Sequence, residues 1–267
     1  MELLLEIGGI PRSTFYYYLK QSGQADKYAL LRSKIIAIYH RHKGRYGYRR
    51  ITLALKHLGW IINHKVVLRL MNTEGLKSLV RIKKYRSYKG QQGRIARNLL
   101  KRNFKATKPN KKWVTDVTVF SVGGQKLYLS PIMDLYNGEI ISYNLSERPT
   151  FHQTMDMLKR AIRKLPENAK LILHSDQGWQ YQMIGYQALL KTNKIKQSMS
   201  RKGNCLDNAA MESFFGILKS ELFYLEKFES TASLKQGIIK FINYYNNHRI
   251  KLKLNGLSPV KYRTQAA

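Results

Sequence analysis

The spacing of hydrophobic residues separates a helical N-terminal part from a strand-rich central part. Between about residues 30 and 74 apolar residues recur with a helical period, and Gly59 and Gly75 stand where helices turn or end. Three short helices with a tight turn before the last predict a helix-turn-helix, whose last helix carries Lys65 and Arg69. The same pattern also fits a small helical bundle whose charges only face water.

After residue 112 the pattern changes to short runs of β-branched and aromatic residues separated by turns. The predicted strands are 113–120, 125–134, 139–145, 171–174 and 196–199, and the predicted helices are 152–165, 184–191 and one that begins near 207. Three successive strands followed by alternating helices and strands are typical of a mixed sheet flanked by helices. The predicted fold class is therefore α/β, preceded by an all-α region.

The boundaries between these parts follow changes in charge and in glycine and proline content. Residues 75–115 contain 14 Lys or Arg and no acid, which is typical of a linker or arm that follows a phosphate backbone. The predicted organisation is a partial helix-turn-helix (1–22), a helix-turn-helix domain (27–76), a basic linker (77–109), a catalytic core (110–225) and a C-terminal helical extension (226–267).

The overall charge restricts the class of partner. The chain has 48 Lys and Arg against 16 Asp and Glu, a net charge of +32, which favours a partner such as nucleic acid. Its single cysteine, Cys205, excludes an internal disulfide framework and a zinc site of several cysteines. Because no apolar run approaches the roughly 20 residues of a membrane helix, we expect a cytoplasmic, nucleoid-associated protein.

Three acidic residues stand out against this basic background. Asp116 lies in the middle of the first predicted strand, Asp176 just past the fourth, and Glu212 in the first turns of a late helix. Functional side chains converge at strand ends and helix starts in such sheets. Three adjacent carboxylates repel one another unless a cation is bound, and hard oxygen ligands favour Mg²⁺ or Mn²⁺. Two such ions about 4 Å apart can activate an attacking hydroxyl and stabilise the leaving oxygen of a phosphodiester.

Two further residues lie on the helix face that carries Glu212. Glu212, Gly216 and Lys219 are spaced i, i+4 and i+7, so the carboxylate and the ammonium share one face. The glycine between them leaves room for the close approach of a backbone. This face could hold a metal at one end and a phosphate at the other.

Several neighbouring residues have structural interpretations as well as functional ones. We expect Asp134 to be a turn residue that closes a strand rather than a fourth ligand. Trp113 and Trp179 are predicted to pack in the core, although either could contact DNA bases. For His174, a role in orienting phosphate or a metal ligand and a buried structural role are equally open.

A series of longer motifs surrounds the three acids and continues beyond them. These motifs are Trp113-x-x-Asp116-x-Thr118, His174-Ser175-Asp176-x-Gly178-x-Gln180-Tyr181, residues 198–204 with Asp207-Asn208-Ala209, Glu212-Ser213-Phe214-Phe215, Leu218-Lys219, Tyr245-Asn246-x-x-Arg249 and Gly256-Leu257-Ser258-Pro259-x-x-Tyr262. Together they resemble the motifs of the insertion-sequence-three family of bacterial transposases. The resemblance continues upstream through Tyr46-Gly47-Tyr48-Arg49-Arg50-Ile51 and covers nearly the whole chain.

This resemblance implies a ribonuclease H-like core similar to retroviral integrase. It also implies an Asp-Asp-Glu transposase that cleaves one strand at an element end and joins the 3′-hydroxyl to a target by transesterification. Asp116, Asp176 and Glu212 would then bind the metals, with two ions expected. The candidate DNA-binding residues are Lys219, Arg49, Arg50, Lys65, Arg69, Arg201 and Lys202. A homo-oligomer, at least a dimer on DNA, and an upstream-frame protein as fusion or partner are also expected.

Two other functions remain open from the sequence. One is a catalytically silent DNA-binding regulator derived from a transposase, which the presence of all three acids disfavours. The other is a ribonuclease H-like nuclease that hydrolyses DNA without joining it, which the separate N-terminal helices disfavour. The basic segment 250–254 has no explanation from the sequence.

Overall fold

The computed structural model describes residues 5, 7–9, 11–22, 26–79, 96–101, 103–201 and 208–265, which fall into two compact units, 1–77 and 78–267. The helices of the first unit are α1 (Arg12–Ser22), α2 (Ala29–Arg41), α3 (Tyr48–His57) and α4 (His64–Thr73). The predicted all-α region is confirmed.

The ends of α4 follow from local sequence. At its start the side chain of Asn63 accepts a hydrogen bond from the backbone N–H of Lys65 at 2.9 Å. At its end Gly75 takes a positive φ of 67°, which glycine adopts without steric cost. The helices pack through fully buried apolar residues that include Ile35, Ile51, Leu55 and Val67.

The second unit combines strands and helices. Its strands are β1 (Lys112–Thr115), β2 (Thr118–Val122), β3 (Gln125–Asp134), β4 (Ile140–Ser146), β5 (Ile172–Ser175) and β6 (Lys196–Met199). Its helices are α5 (Phe151–Ile162), α6 (Trp179–Gln182), α7 (Ile184–Thr192), α8 (Ala209–Leu218), α9 (Thr231–Asn247) and α10 (Pro259–Gln265). One π-helical turn (Lys219–Phe223) follows α8, and a short 3₁₀ turn (Leu252–Leu254) precedes α10.

The strands form one mixed sheet, as predicted. β1 and β2 both pair with β3 in a single antiparallel register, with Thr115 opposite Ile132 and Thr118 opposite Leu129. β4 pairs with the other edge of β3. β5 is parallel to β1, and β6 is parallel to β5. The order across the sheet is therefore β4, β3, β1 with β2, β5 and β6.

The first predicted strand, 113–120, is wrong in one respect, because it is interrupted at Asp116 and Val117. The register of β1 and β2 places Pro131 opposite Asp116. Proline has no N–H to donate to a neighbouring strand. The hydroxyl of Thr115 donates to the Pro131 carbonyl at 2.9 Å, and the Val117 N–H turns to the Asp116 carboxylate at 2.7 Å.

Successive residues of β1 face two separate hydrophobic cores, one on each face of the sheet. Val114 lies in the core that includes residues of α8 and α9, such as Phe214 and Phe241. Trp113 lies in the other core, with residues of α5 and α7. Because α9 belongs to the first core, part of the predicted C-terminal extension is built into the same core as the sheet.

Part of the predicted basic linker also packs on the second unit. The backbone N–H of Leu99 donates to the hydroxyl of Ser198 on β6 at 2.9 Å, and Leu100 is buried in the first core. The domain boundaries drawn from the sequence stay predictions. Among the described helices, none combines the length and apolar character needed to span a bilayer.

Candidate active site

The ends of two neighbouring parallel strands bring Asp116 and Asp176 together. In the register of β1 and β5, Val114 lies opposite His174. Continuing this register by two residues puts Asp116 beside Asp176, at the roughly 4.8 Å spacing of adjacent strands. Both residues follow the strands directly, and both are half-buried.

The surroundings of these two carboxylates disfavour their charged forms. The pKa of Asp116 is raised well above its ordinary value by burial, then by the negative charges of Asp176 and, to a smaller extent, Glu212. Burial also raises the pKa of Asp176, although the Gly178 N–H, which donates to its Oδ1 at 3.0 Å, partly opposes the effect. A nearby positive charge would favour the ionised form of both carboxylates.

Helix α8 places Glu212 near this pair. Glu212 lies in the first turn of α8, which packs through Met211 and Phe214 on the face of the sheet that Val114 occupies. The side-chain amide of Asn208 donates to the Thr115 carbonyl at 3.4 Å and ties the start of the helix to the end of β1. Across the described part of the chain, no three His, Cys, Asp or Glu side chains are grouped closely enough to hold one ion. The charge of Asp176 acts on Asp116 more strongly than the charge of Glu212 does, so Asp116 and Asp176 form the more strongly interacting pair.

The residues at this pair fit a divalent cation. Two carboxylates that burial and mutual repulsion destabilise are hard oxygen donors, which Mg²⁺ and Mn²⁺ prefer. Within the described residues the buried Oδ1 of Asn208, whose side chain also hydrogen-bonds Asp116, has no hydrogen-bond partner. Mg²⁺ typically binds one or two carboxylates together with substrate phosphates, so a pair with a third carboxylate nearby suits it.

Lys219 lies just beyond α8, next to the carboxylates. Its Nζ is 5.6 Å from the centre of the Phe120 ring. Burial lowers the pKa of Lys219, and the negative charge of Asp116 acts in the opposite direction. Gly216, on the same helix face, is exposed, and a Cβ added there would meet no described atom within 4 Å. None of the described residues covers this face at Gly216.

Two residues at the site were quoted in the sequence motifs but given no role. Asn208 hydrogen-bonds Asp116, as described above. Tyr181 is fully buried with its hydroxyl 3.4 Å from that of Thr115, and its pKa is raised by burial and then by Asp176 and Asp116. The sequence spacing between Asp176 and Tyr181 does not predict that helix α6 places the Tyr181 hydroxyl near the carboxylates.

Four residues with alternative interpretations receive clear positions. Asp134 is buried and accepts the Tyr136 N–H, so its prediction as a turn residue is confirmed. His174 is fully buried with Nδ1 2.8 Å from the Ser198 hydroxyl, which favours the structural role. Trp113 is fully buried as predicted, whereas Trp179 is 52% exposed. The prediction for Trp179 is wrong because Tyr181 occupies the buried position of the short helix α6.

The candidate DNA-binding residues of the first unit differ in orientation. Lys65 and Arg69 are both exposed and lie one turn apart on α4. Arg49 is exposed and donates to the Tyr48 hydroxyl at 3.1 Å. Arg49, Arg50 and Arg69 each lie over a tyrosine ring, 5.5 to 5.6 Å from its centre, but Arg50 alone of these three is half-buried. The first three residues are therefore better placed than Arg50 to reach DNA.

The remaining two candidates follow β6. Arg201 is exposed just past the end of this strand. Lys202 lies outside the described residues, as do Cys205 and Asp207.

A helix-turn-helix unit followed by a mixed sheet with paired acids at its strand ends defines an integrase-type DNA enzyme. Two models described as "Integrase core domain" match residues 106–205 and 212–266, and one described as "HTH-like domain" matches residues 25–84. These matches cover both units of the structure.

Three relatives identify the family. The chain is 57% identical to the putative transposase InsK for insertion sequence element IS150 of Escherichia coli K12, over 99% of this chain and 94% of the relative. It is 59% identical to an uncharacterized transposase-like protein of Haemophilus influenzae, over 77% and 94%. It is 35% identical to the transposase InsF for insertion sequence IS3A of Escherichia coli K12, over 87% and 82%. The chain belongs to the insertion-sequence-three family of transposases.

Proposed function

We propose that this transposase catalyses divalent-metal-dependent cleavage of DNA at the ends of an insertion sequence and joins the freed 3′-hydroxyl to target DNA. One observation carries the proposal: Asp116 and Asp176 end neighbouring parallel strands, and each carboxylate has a raised pKa. A site that disfavours its own negative charges is suited to a cation and the phosphodiester that accompanies it.

The chain's own residues have distinct roles in this proposal. Asp116, Asp176 and Glu212 would hold the divalent ion or ions. Bound Mg²⁺ or Mn²⁺, expected as two ions, supplies activation of the attacking hydroxyl and stabilisation of the leaving oxygen. The Val117 and Gly178 N–H groups orient the two Asp carboxylates, and Lys219 contacts a phosphate of the DNA.

Recognition of the element ends is assigned to the first unit. Exposed Lys65 and Arg69 on α4 read or position the DNA, and Arg49 contacts its backbone. Arg201 and Lys202 lie close in sequence to the catalytic segment and contact DNA near the reacting phosphate. The protein acts as at least a dimer on DNA in the cytoplasm, associated with the nucleoid, with the upstream-frame protein as fusion or partner.

The decisive test is a joining assay with a labelled duplex that carries an element end and a plasmid target, with Mg²⁺ or Mn²⁺ present. Asp116→Asn, Asp176→Asn and Glu212→Gln should each abolish joining while DNA binding persists. Glu167→Gln, which changes an exposed acid, is the matched control and should join normally. If the wild-type protein gives nicks without joined products, the nuclease is favoured. If it binds the DNA but gives neither nicks nor joined products, the silent regulator is favoured.

Metal binding can be tested separately from catalysis. Mg²⁺ should raise the melting temperature of the wild type and of Glu167→Gln, because the ion binds only the folded protein. The rise should be lost in the Asp116→Asn Asp176→Asn double variant. Titration calorimetry in the presence of DNA would give the number of ions. An equal thermal shift in all three proteins would rule out this pair as the metal site.

The role of the first unit can be tested by salt dependence. Lys65→Ala and Arg69→Ala should weaken binding to the element end, and a variant that removes one phosphate interaction should reduce the slope of log K against log salt by about 1. Lys34→Ala, which removes an exposed charge from α2, is the matched control. Unchanged affinity and slope in both α4 variants would exclude α4 as the DNA-contacting helix.

A further inference from the structure

The helix that carries Glu212 ends in an unusually wide turn. After Leu218 the chain forms a π-helical turn, Lys219–Phe223, in which the Tyr224 N–H donates to the Lys219 carbonyl at 2.9 Å. Such turns are rare and occur frequently at functional sites. The first residue of this one is Lys219, beside the carboxylates. The features that hold the turn open are therefore of functional interest.

A buried ion pair is attached to this turn. Glu221, the third residue of the turn, is 2% exposed, and Arg249 is 3% exposed. The Nε of Arg249 donates to Oε2 of Glu221 at 2.8 Å, and its Nη2 donates to Oε1. Removing both charges from water costs several kcal/mol per ion, and an apolar pair of similar size is often as stable. Stability alone is a weak explanation for this pair.

The arginine is itself firmly held. Arg249 lies just past the end of α9, and its backbone N–H donates to the Tyr244 carbonyl at 2.9 Å. Its guanidinium lies 5.8 Å from the centre of the Tyr245 ring. That ring in turn meets Phe214 of α8 edge-on, with centres 5.0 Å apart. The end of α9 therefore contacts the Glu212 helix at Phe214 and the wide turn at Glu221.

The contacts that the end of α9 makes with Phe214 and Glu221 lie close in sequence to the two residues that face the active site. Phe214 follows Glu212 by two residues, and Glu221 follows Lys219 by two residues. If the wide turn relaxed to an α-helix, the residues after it would rotate by about 100°, the angle of one helical residue. Glu221 lies inside the turn and Arg249 lies after it, so the rotation would move these two side chains relative to each other. The hydrogen bond from the Tyr224 N–H to the Lys219 carbonyl would be replaced. The ion pair is compatible with one form of the turn.

We propose that Glu221 and Arg249 are positioning residues that lock the π-helical turn and so fix Lys219 against Phe120, beside Asp116. The two parallel hydrogen bonds of the buried pair can form in only one register of the turn. An apolar contact is less directional and would tolerate a shift of the turn by one residue. The inference rests on the proposed function, because Lys219 has a role to be positioned for only if this site joins DNA.

The test is a double-mutant cycle between the ion pair and Lys219. Glu221→Leu with Arg249→Met replaces the pair by apolar residues of similar size and should keep the fold. Joining should fall by about tenfold or more in the wild-type background, but by less than about threefold in the Lys219→Ala background, because the pair acts through Lys219. Element-end binding and the Mg²⁺-induced thermal shift should persist in all of these proteins.

Each other outcome has a definite meaning. If the losses multiply, so that the apolar pair costs about tenfold in both backgrounds, the positioning role is overturned. If the wild type shows no metal-dependent joining, the proposed function fails instead. Should the apolar pair not fold, Arg249→Lys takes its place, because lysine keeps the charge but cannot form two parallel hydrogen bonds. The same cycle and the same criteria then apply.

Discussion

Three aspartates lie at the ends of adjacent strands of one sheet: Asp134, Asp116 and Asp176. The first is paired with a cation, whereas the other two repel each other. Asp134 is fully buried, and its Oδ2 accepts from Arg263 at 2.7 Å and from the Asn110 N–H at 2.9 Å. Asp116 and Asp176 instead face each other's negative charge. The fold balances the acid that it needs for its own stability. Among the described residues Lys219 is the cation whose charge acts with that of Asp116, and in the proposed function a divalent cation supplies the remaining positive charge.

The contrast is tested most strongly by Asp116→Asn. Joining should fall by about a thousandfold or more, since a metal ligand is removed. Without metal the same variant should be more stable than the wild type at neutral pH, because a buried repulsion is removed. The measurements are joining rates and melting temperatures with and without Mg²⁺. A variant that loses stability in the absence of metal would contradict this account.

The pH dependence of that stability difference follows from the sign of the pKa change. The folded-state pKa of Asp116 lies above its ordinary value, so the stability that it contributes is present in acid and is lost as the pH rises through the folded pKa. The advantage of Asp116→Asn over the wild type should therefore be small near pH 4 and should grow towards neutral pH. Saturating Mg²⁺ should reverse it.

Asp134→Asn should show the opposite pattern. Asp134→Asn removes one carboxylate partner of Arg263 and leaves Glu139, 3.0 Å from its Nε, as the other. The remaining partner and the partial exposure of Arg263 limit the cost to about 3 kcal/mol. Joining per folded molecule should stay close to that of the wild type. Denaturant unfolding at pH 7 measures the loss of stability. The joining rate divided by the concentration of folded protein measures the activity. Loss of joining in a folded variant would make Asp134 a functional acid after all.

The sequence predicted those features that depend on short-range pattern. β3 and β6 have their predicted bounds, because alternation and the Gly123-Gly124 turn define them locally. The three acids were selected by their local motifs, and parallel strands explain why two of them meet.

Features that depend on distant residues were not predicted. The break at Asp116 arises from Pro131 on the opposite strand, and the exposure of Trp179 from the burial of Tyr181. The hydrogen bond between Leu99 and Ser198 joins residues 99 positions apart. The π-helical turn has no periodic signal of its own, because its partner Arg249 lies 28 residues beyond Glu221. These contacts are set by tertiary packing rather than by local pattern.

Lys251 extends the same contrast to a cation. This lysine belongs to the basic segment that the sequence left unexplained, and its Nζ lies 4.7 Å from the centre of the Tyr245 ring. Burial, and then the positive charges of Arg249 and Lys253, lower its pKa from 10.5 to about 7. Like the paired acids, it is a half-buried charge with like charges nearby.

Lys251→Met should stabilise the protein by about 2 kcal/mol at pH 7, measured by denaturant unfolding. The charged amine costs the folded state on the order of 4 kcal/mol there, and removal of its attraction to the Tyr245 ring offsets part of the gain. Because the folded pKa lies below the unfolded one, the wild type recovers this stability as the pH rises from about 7 to 10.5. The gain should therefore vanish near pH 10. A gain that does not change with pH would point to packing instead of charge.

The smallest expected effect separates two helical glycines. At Gly237 of α9 an added Cβ would lie 2.8 Å from Phe228, so internal packing explains this glycine. At Gly216 of α8 an added Cβ would meet no described atom within 4 Å, and alanine there should stabilise the helix by about 1 kcal/mol. Packing among the described residues therefore does not require glycine at position 216.

Gly216 lies between Glu212 and Lys219 on the helix face, so DNA that contacts both side chains would pass over it. Close approach of the DNA would explain why this residue is glycine. Gly216→Ala should raise the melting temperature yet slow joining by about threefold to tenfold, because a methyl group displaces the DNA backbone. Gly237→Ala is the control and should lower the melting temperature without slowing joining by the protein that remains folded. If Gly216→Ala joins DNA at the wild-type rate, the DNA does not approach this face closely, and the open surface beside Lys219 needs another explanation.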